Sequence, residues 1–272
     1  MVSKNPHSKY RLLVIMDESK ASEIALKNAV QLAKTIKGHI EVFHIKAPTD
    51  VVKSENQLSA MRVIHEDNRN TIAKLQQLVS KTSEHEGVSI GYHMAHGNVK
   101  SVLQNHIAKV QPNIIVLGKK KSKLINFLAD DIIEFLLDEC NANILIVGED
   151  HKFHTYEDIS LGVYGNKLAD NGLEIINDLK KQTTKPIKFF SVRGSDENSE
   201  NQKSSSEEAV SYVFSEGLNA FDGLASYVSK TNTQLFCIEK KQPRGTISPL
   251  GNTEDPLKHV LRKLDIPVLI MQ

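Results

Sequence analysis

The chain has 272 residues, of which 40% are hydrophobic, 25% charged and 6% aromatic, with 14 Gly, 8 Pro and no Trp. That composition excludes collagen-like, coiled-coil and wholly disordered classes, and the length suggests two domains or one large one. Residues 1–150 carry 19 basic against 17 acidic side chains and residues 151–272 carry 15 against 16, so neither half calls for a nucleic-acid partner. Apolar runs such as Leu12–Met16 and Ile144–Val147 fall far short of the ~18 residues of a membrane span. The polar stretch Met1–Lys9 lacks the apolar core of a signal peptide. Cys140 and Cys237 lie far apart inside apolar segments, which reads as two buried thiols rather than a disulfide or a metal site. The expectation is a cytoplasmic protein with no membrane partner.

In chain order, Arg11–Met16 reads as an apolar strand. A helix follows over 19–37, with Ser19 or Ser22 as N-cap and Gly38 as its stop. His39–Ile45 is the second strand and Ser54–Thr82 the second helix. Val88–Ala95 alternates like a strand, Asn98–Val110 is helical, and Ile114–Leu117 is a fully apolar strand. Ile132–Cys140 and Ile144–Val147 complete the first half. Continuous apolar strands alternating with amphipathic helices predict a doubly wound α/β domain with a parallel sheet.

The second half repeats the order with one element missing. The strand Ile159–Tyr164, a helix over 166–182, and strands at Ile187–Val192 and Ala209–Phe214 come first. A helix over 219–230, the strand Leu235–Ile238, a helix over 256–264 and the strand Val268–Met271 follow. Where the first half has its second helix, residues 194–208 are rich in Ser, Asn, Asp and Glu, which predicts a crossover without a packed helix. Shifted by 124 positions, Asp131 falls on Asp255, Leu137 on Leu261, and Ile144–Val147 on Val268–Met271. The register predicts an internal duplication, with one α/β domain over 1–150 and a smaller, degenerate one over 151–272.

In a parallel sheet of this kind a ligand sits beyond the carboxyl ends of the strands, here at Asp17-Glu18-Ser19, Lys46, and the Gly118–Lys123 segment. The strand ending in Asp17, Phe43-His44-Ile45, Gly97 before a helix, and Pro-Asn-Ile-Ile-Val-Leu-Gly at 112–118 together resemble the universal stress protein family in its tandem form. The resemblance implies an adenine nucleotide alpha hydrolase-like fold, a stress-response role by binding rather than catalysis, and pairing of two such units through their last strands. Strands 144–147 and 268–271 would then meet as an intramolecular pseudo-dimer. A homodimer and an unidentified protein partner stay open. It also implies a vestigial adenine nucleotide site at Asp17, Ile45, Leu117, Gly118 and Lys121, with ATP or AMP as the alternative to no cofactor at all. The family's glycine loop keeps only Gly118; Lys121 stands at its second glycine, and Asp130-Asp131 align with its Gly-Ser pair.

Asp130 or Asp131 is expected to cap the following helix, and Asp255 before Pro256 the last one, so that a carboxylate takes the seat a phosphate would use. Lys119, Lys120, Lys121 and Lys123 oppose this, either as an anion-holding cluster or as a solvated loop. Asp17 reads either as a ligand contact or as a helix cap. His93 and His96 point to opposite faces of one strand, so joint metal ligation is not expected. No nucleophile has a base at a recognisable spacing, and the reading is a non-enzymatic protein.

Overall fold

The computed structural model describes residues 8–46, 57–120, 127–150, 155–165, 173–193, 209–217, 219–240 and 256–272. In the first half β1 (Tyr10–Met16), α1 (Lys20–Ile36), β2 (Gly38–Lys46), α2 (Gln57–Glu86) and β3 (Ile90–His96) lead to α3 (Val99–Val110). β4 (Ile114–Lys119), α4 (Phe127–Glu139) and β5 (Asn143–Gly148) follow. The second half runs β6 (Leu161–Tyr164), α5 (Leu173–Lys180), β7 (Ile187–Arg193), β8 (Ala209–Ser215), α6 (Ala220–Lys230), β9 (Leu235–Glu239), α7 (Pro256–Lys263) and β10 (Val268–Met271). The expected gap at 194–208 lies outside the described residues.

All ten strands form one sheet in the order β3-β2-β1-β4-β5-β10-β9-β6-β7-β8. Read inward from its own edge, the last group of five strands takes the same order as the first. Every described pairing is parallel except the central one, where Val268, Leu269 and Ile270 of β10 run antiparallel to Ile146, Leu145 and Ile144 of β5.

Side-chain alternation along the strands explains the two cores. Leu12 and Val14, Val116, Leu145, Cys237 and Leu269 face α1, α2 and α5 in one layer. Leu13, Phe43, Leu117, Ile146, Phe236 and Ile270 face α3, α4, α6 and α7 in the other. Both layers run across both halves. Residues with a two-residue period on fully covered strands must be apolar on both faces, which is why β1 and β4 read as unbroken apolar runs.

Polar contacts cross the same seam. The Lys119 ammonium donates to the Leu261 carbonyl of α7 at 3.0 Å, and the Lys240 ammonium donates to the Leu137 carbonyl of α4. The two contacts are reciprocal: each lysine ends or follows a strand in one half and meets carbonyls near the C-terminus of a helix in the other, where a cation is favoured. At the opposite end of the sheet Lys9 pairs with Asp178 and, at 2.9 Å, with Glu174, while the Tyr10 hydroxyl donates to Asp178 at 2.9 Å. Between the halves Tyr156 is 2% exposed, and its hydroxyl donates to Asn28 of α1 at 3.2 Å.

Two sequence expectations need correction. Gly38 does not stop α1. Lys37 takes the left-handed conformation at φ 57°, its N–H bonding the Ala33 carbonyl, and Gly38 opens β2 instead. A Cβ there would lie 2.4 Å from a Leu12 methyl, which would have to shift. α4 begins at Phe127, so Asp130 and Asp131 sit inside its opening turns and neither is the N-cap. Of the two caps offered for α1, Ser19 is the one used, its hydroxyl accepting from the Ser22 N–H at 3.3 Å. α7 begins at Pro256 as expected, with Asp255 outside the described residues.

Candidate functional site

The chain leaves β1 for β2 on one side and returns to β4 on the other, so β1 and β4 flank the switch point of the first half. Ligands of open α/β sheets bind beyond the carboxyl ends of such strands. The turn from β1 into α1 is held by Asp17, which accepts hydrogen bonds from the Ser19 N–H at 3.1 Å and from the Ser19 hydroxyl. The other carboxylate oxygen of Asp17 lies 2.7 Å from the Lys120 ammonium. Partial burial works to raise the Asp17 pKa, but the Lys120 and Ser19 contacts outweigh it and hold the value below the usual carboxylate range. Asp17 therefore stays ionised, with partners of its own. Glu18, next in the turn, takes a left-handed backbone at φ 59°.

Gly118 meets a steric need. A Cβ at this position would lie 2.4 Å from the carbonyl carbon of Ala21 and 2.6 Å from the Ser22 nitrogen. Backbone stands on both sides of the contact, so β4 meets the first turn of α1 only because residue 118 has no side chain. Leu117 is buried and Ile45 half-buried, both in the layer facing α3 and α4. The structure thus brings Asp17 and Gly118 together around the start of α1, with Ile45 and Leu117 as apolar floor to one side. Of the lysine run, Lys119 is turned to Leu261 and Lys120 to Asp17. Lys121 and Lys123 lie outside the described residues.

The two histidines of β3 go to opposite faces. His96 meets Asn68 of α2 at 2.9 Å, and His93 stacks on His106 of α3 with ring centres 5.1 Å apart. His106 in turn stacks on Phe43 at 3.9 Å, and its Nε2 lies 2.7 Å from Glu41 Oε1. The Glu41 and His106 side chains are only 7% and 9% exposed. His39 shares this face of β2, with its Nε2 buried and without a hydrogen-bond partner among the described residues. Leu103 is the only buried residue of α3, with Val102 and Ile107 packing beside it, and the His106–Glu41 contact adds a polar tie to the sheet. Sequence reading missed this cluster; the signal was Glu41 on an inward strand position two residues before Phe43. Among the described residues no group of three or more His, Cys, Asp or Glu side chains is placed to hold a metal ion. No described helix is long and apolar enough to cross a membrane.

Acid should loosen this cluster. Burial, then the neighbouring His106, pushes the His93 pKa below 6.5, with Lys109 adding to the effect and Glu41 opposing it. The hydrogen bond from His106 pulls the Glu41 pKa below 4.5 against the effect of burial, with His93 and His39 contributing. For His93 the unfolded chain binds the proton first, so stability falls as pH drops through about 6.5. For Glu41 stability present above 4.5 is lost as pH falls through its lower folded value. Urea midpoints should therefore drop between pH 7.5 and 5.5. His93→Phe, which keeps a ring in the stack, should flatten that drop, by a small amount because His93 is exposed and water screens its charge. An identical slope in the variant would refute the assignment.

Comparisons with known proteins bear on the whole arrangement. The model of the universal stress protein family matches residues 10–148. No curated protein matches the chain in sequence. The crystal structure of a universal stress protein from Archaeoglobus fulgidus is similar over 96% of this chain and 98% of that one, at TM-score 0.71 and 17% identity. A putative universal stress protein from Pseudomonas aeruginosa is similar over 96% of this chain and 92% of its own, at TM-score 0.52 and 14% identity. A family member from Arabidopsis thaliana, solved with AMP bound, covers 51% of this chain with 91% of its own, at TM-score 0.38 and 14% identity.

Proposed function

The chain belongs to the universal stress protein family, and from that premise we propose that it is a non-enzymatic, cytoplasmic stress-response protein that acts by binding a small ligand or a protein and does not bind ATP tightly. The observation that carries this reading is the occupied state of Asp17. A nucleotide using this carboxylate must displace a 2.7 Å contact to Lys120 and the bonds from Ser19. Lys120, the described lysine best placed to meet a phosphate, is committed to the same pair.

Three further features support it. No glycine follows Gly118 until Gly148, so the later glycines of the family's phosphate loop are missing. Asp131 lies within the first five residues of α4, where its charge offsets the helix dipole and repels a polyphosphate. Gly118 is accounted for by helix packing alone.

On the same reading the chain is an internal duplication, 1–150 and 151–272, whose β5–β10 pairing takes the place of a dimer of separate units. The matching strand orders of the two halves and the reciprocal Lys119 and Lys240 contacts favour this. The second half has Tyr164 where the first has Asp17 and is not assigned a nucleotide. Native mass spectrometry of the full chain, purified without added nucleotide, tests both parts. The expected spectrum is a single chain with no nucleotide adduct. A stoichiometric AMP or ATP adduct would overturn the binding part, and an obligate dimer the pairing part.

A further inference from the structure

A cavity of about 260 Å³ opens near the carboxyl ends of β1 and β2, between α1 and α2. Met16, Leu75 and Leu78 give it an apolar lining, and Met16 and Leu75 are buried. His44, 8% exposed, stands in its wall. Its Nδ1 lies 2.9 Å from the Met16 carbonyl oxygen. A carbonyl only accepts, so Nδ1 carries the proton and Nε2 of the neutral ring is left as an acceptor. The rim is acidic. Glu18 faces Lys74 at 3.7 Å, while Glu23 has no ion-pair partner among the described residues. One rim carboxylate is therefore uncompensated.

We propose that this cavity binds a small organic ammonium ion, its apolar body against Met16, Leu75 and Leu78 and its charged end at Glu23. The size sits at the lower edge of ligand pockets, which suits a molecule of about ten non-hydrogen atoms. The two selective features agree in sign: an anionic rim favours a cation, and an imidazole acceptor favours an N–H donor. An anion would meet two rim carboxylates, Glu18 and Glu23, against the single ammonium of Lys74. Neither Asp17 nor Gly118 lines this cavity, and the proposal does not rest on whether those residues meet a nucleotide.

The test uses the full chain and 2-phenylethylammonium, with 2-phenylethanol as neutral and phenylacetate as anionic analogue. Titration followed by amide NMR should give saturable shifts across Thr71–Leu78 and at His44, with Kd of ~0.1–1 mM, as about nine non-hydrogen atoms allow. The alcohol should bind about tenfold more weakly and the acid not at all. Glu23 is exposed, so Glu23→Gln should fold normally, bring the amine down to the affinity of the alcohol, and leave the alcohol unchanged. Equal binding of amine and acid, an amine affinity unaffected by Glu23→Gln, shifts confined to other parts of the chain, or no saturation by ~10 mM would each overturn the proposal.

Discussion

Ile270→Lys abolishes cooperative folding of the whole chain, not of its second half alone. Ile270 is fully buried and pairs with Ile144 across the antiparallel seam between β5 and β10. An ammonium at that position has water on neither side and no acidic partner opposite it. The burial of an unpaired charge costs more than about 4 kcal/mol, against the ~5–15 kcal/mol that folds a protein of this kind. Because both core layers cross the seam, the loss is shared by residues as distant as Leu13 and Phe236. Far-UV circular dichroism on heating measures it: the variant should melt early and broadly, while Ile270→Val stays within ~1.5 kcal/mol of the parent. A lysine variant that melts within a few degrees of the parent would show that the seam is not part of the cooperative unit.

Tyr156→Ala is expected to cost ~3–5 kcal/mol, the range for emptying a buried aromatic site. The ring is in the core layer of α1 and α5, and the segment that carries it joins the two halves. Tyr156→Phe separates packing from hydrogen bonding. It keeps the ring but leaves Asn28 Oδ1, in a side chain 1% exposed, without the hydroxyl, which costs about 1–3 kcal/mol. Urea unfolding should rank the parent above Phe and Phe above Ala. A loss below ~1 kcal/mol for the alanine variant would mean that the segment is not docked on α1.

What was legible in the sequence follows from the same physics. Strands such as β1 and β4 are covered on both faces, so their unbroken apolar runs identify them and, alternating with amphipathic helices, the parallel α/β class. The start of α4 was not legible, because Asp130 and Asp131 are good caps locally and only the assembled chain shows the helix beginning at Phe127. The end of α1 was misplaced by one residue because Lys37 takes a conformation that usually falls to glycine.

The site divided in the same way. Asp17 was visible as a strand-end carboxylate, but its pairing with Lys120 joins residues 103 positions apart and leaves no local pattern. The contacts of Lys119 with Leu261 and of Glu41 with His106 are likewise long-range. A run of four lysines reads as one basic patch in the sequence, yet the two that are described turn to different partners. Gly118 stood out as the last remnant of a phosphate loop, and packing against Ala21 gives it a sufficient reason to be glycine.

The claim that a self-satisfied Asp17 and an acidic α4 keep polyphosphate out is tested most directly by calorimetric titration of the full chain with ATP and with AMP at low salt. The account predicts no saturable heat with ATP up to ~1 mM, and no gain of ATP over AMP. A Kd for ATP of ~10 μM or below, at least tenfold tighter than for AMP, would contradict it, since the added affinity could come only from a working phosphate site.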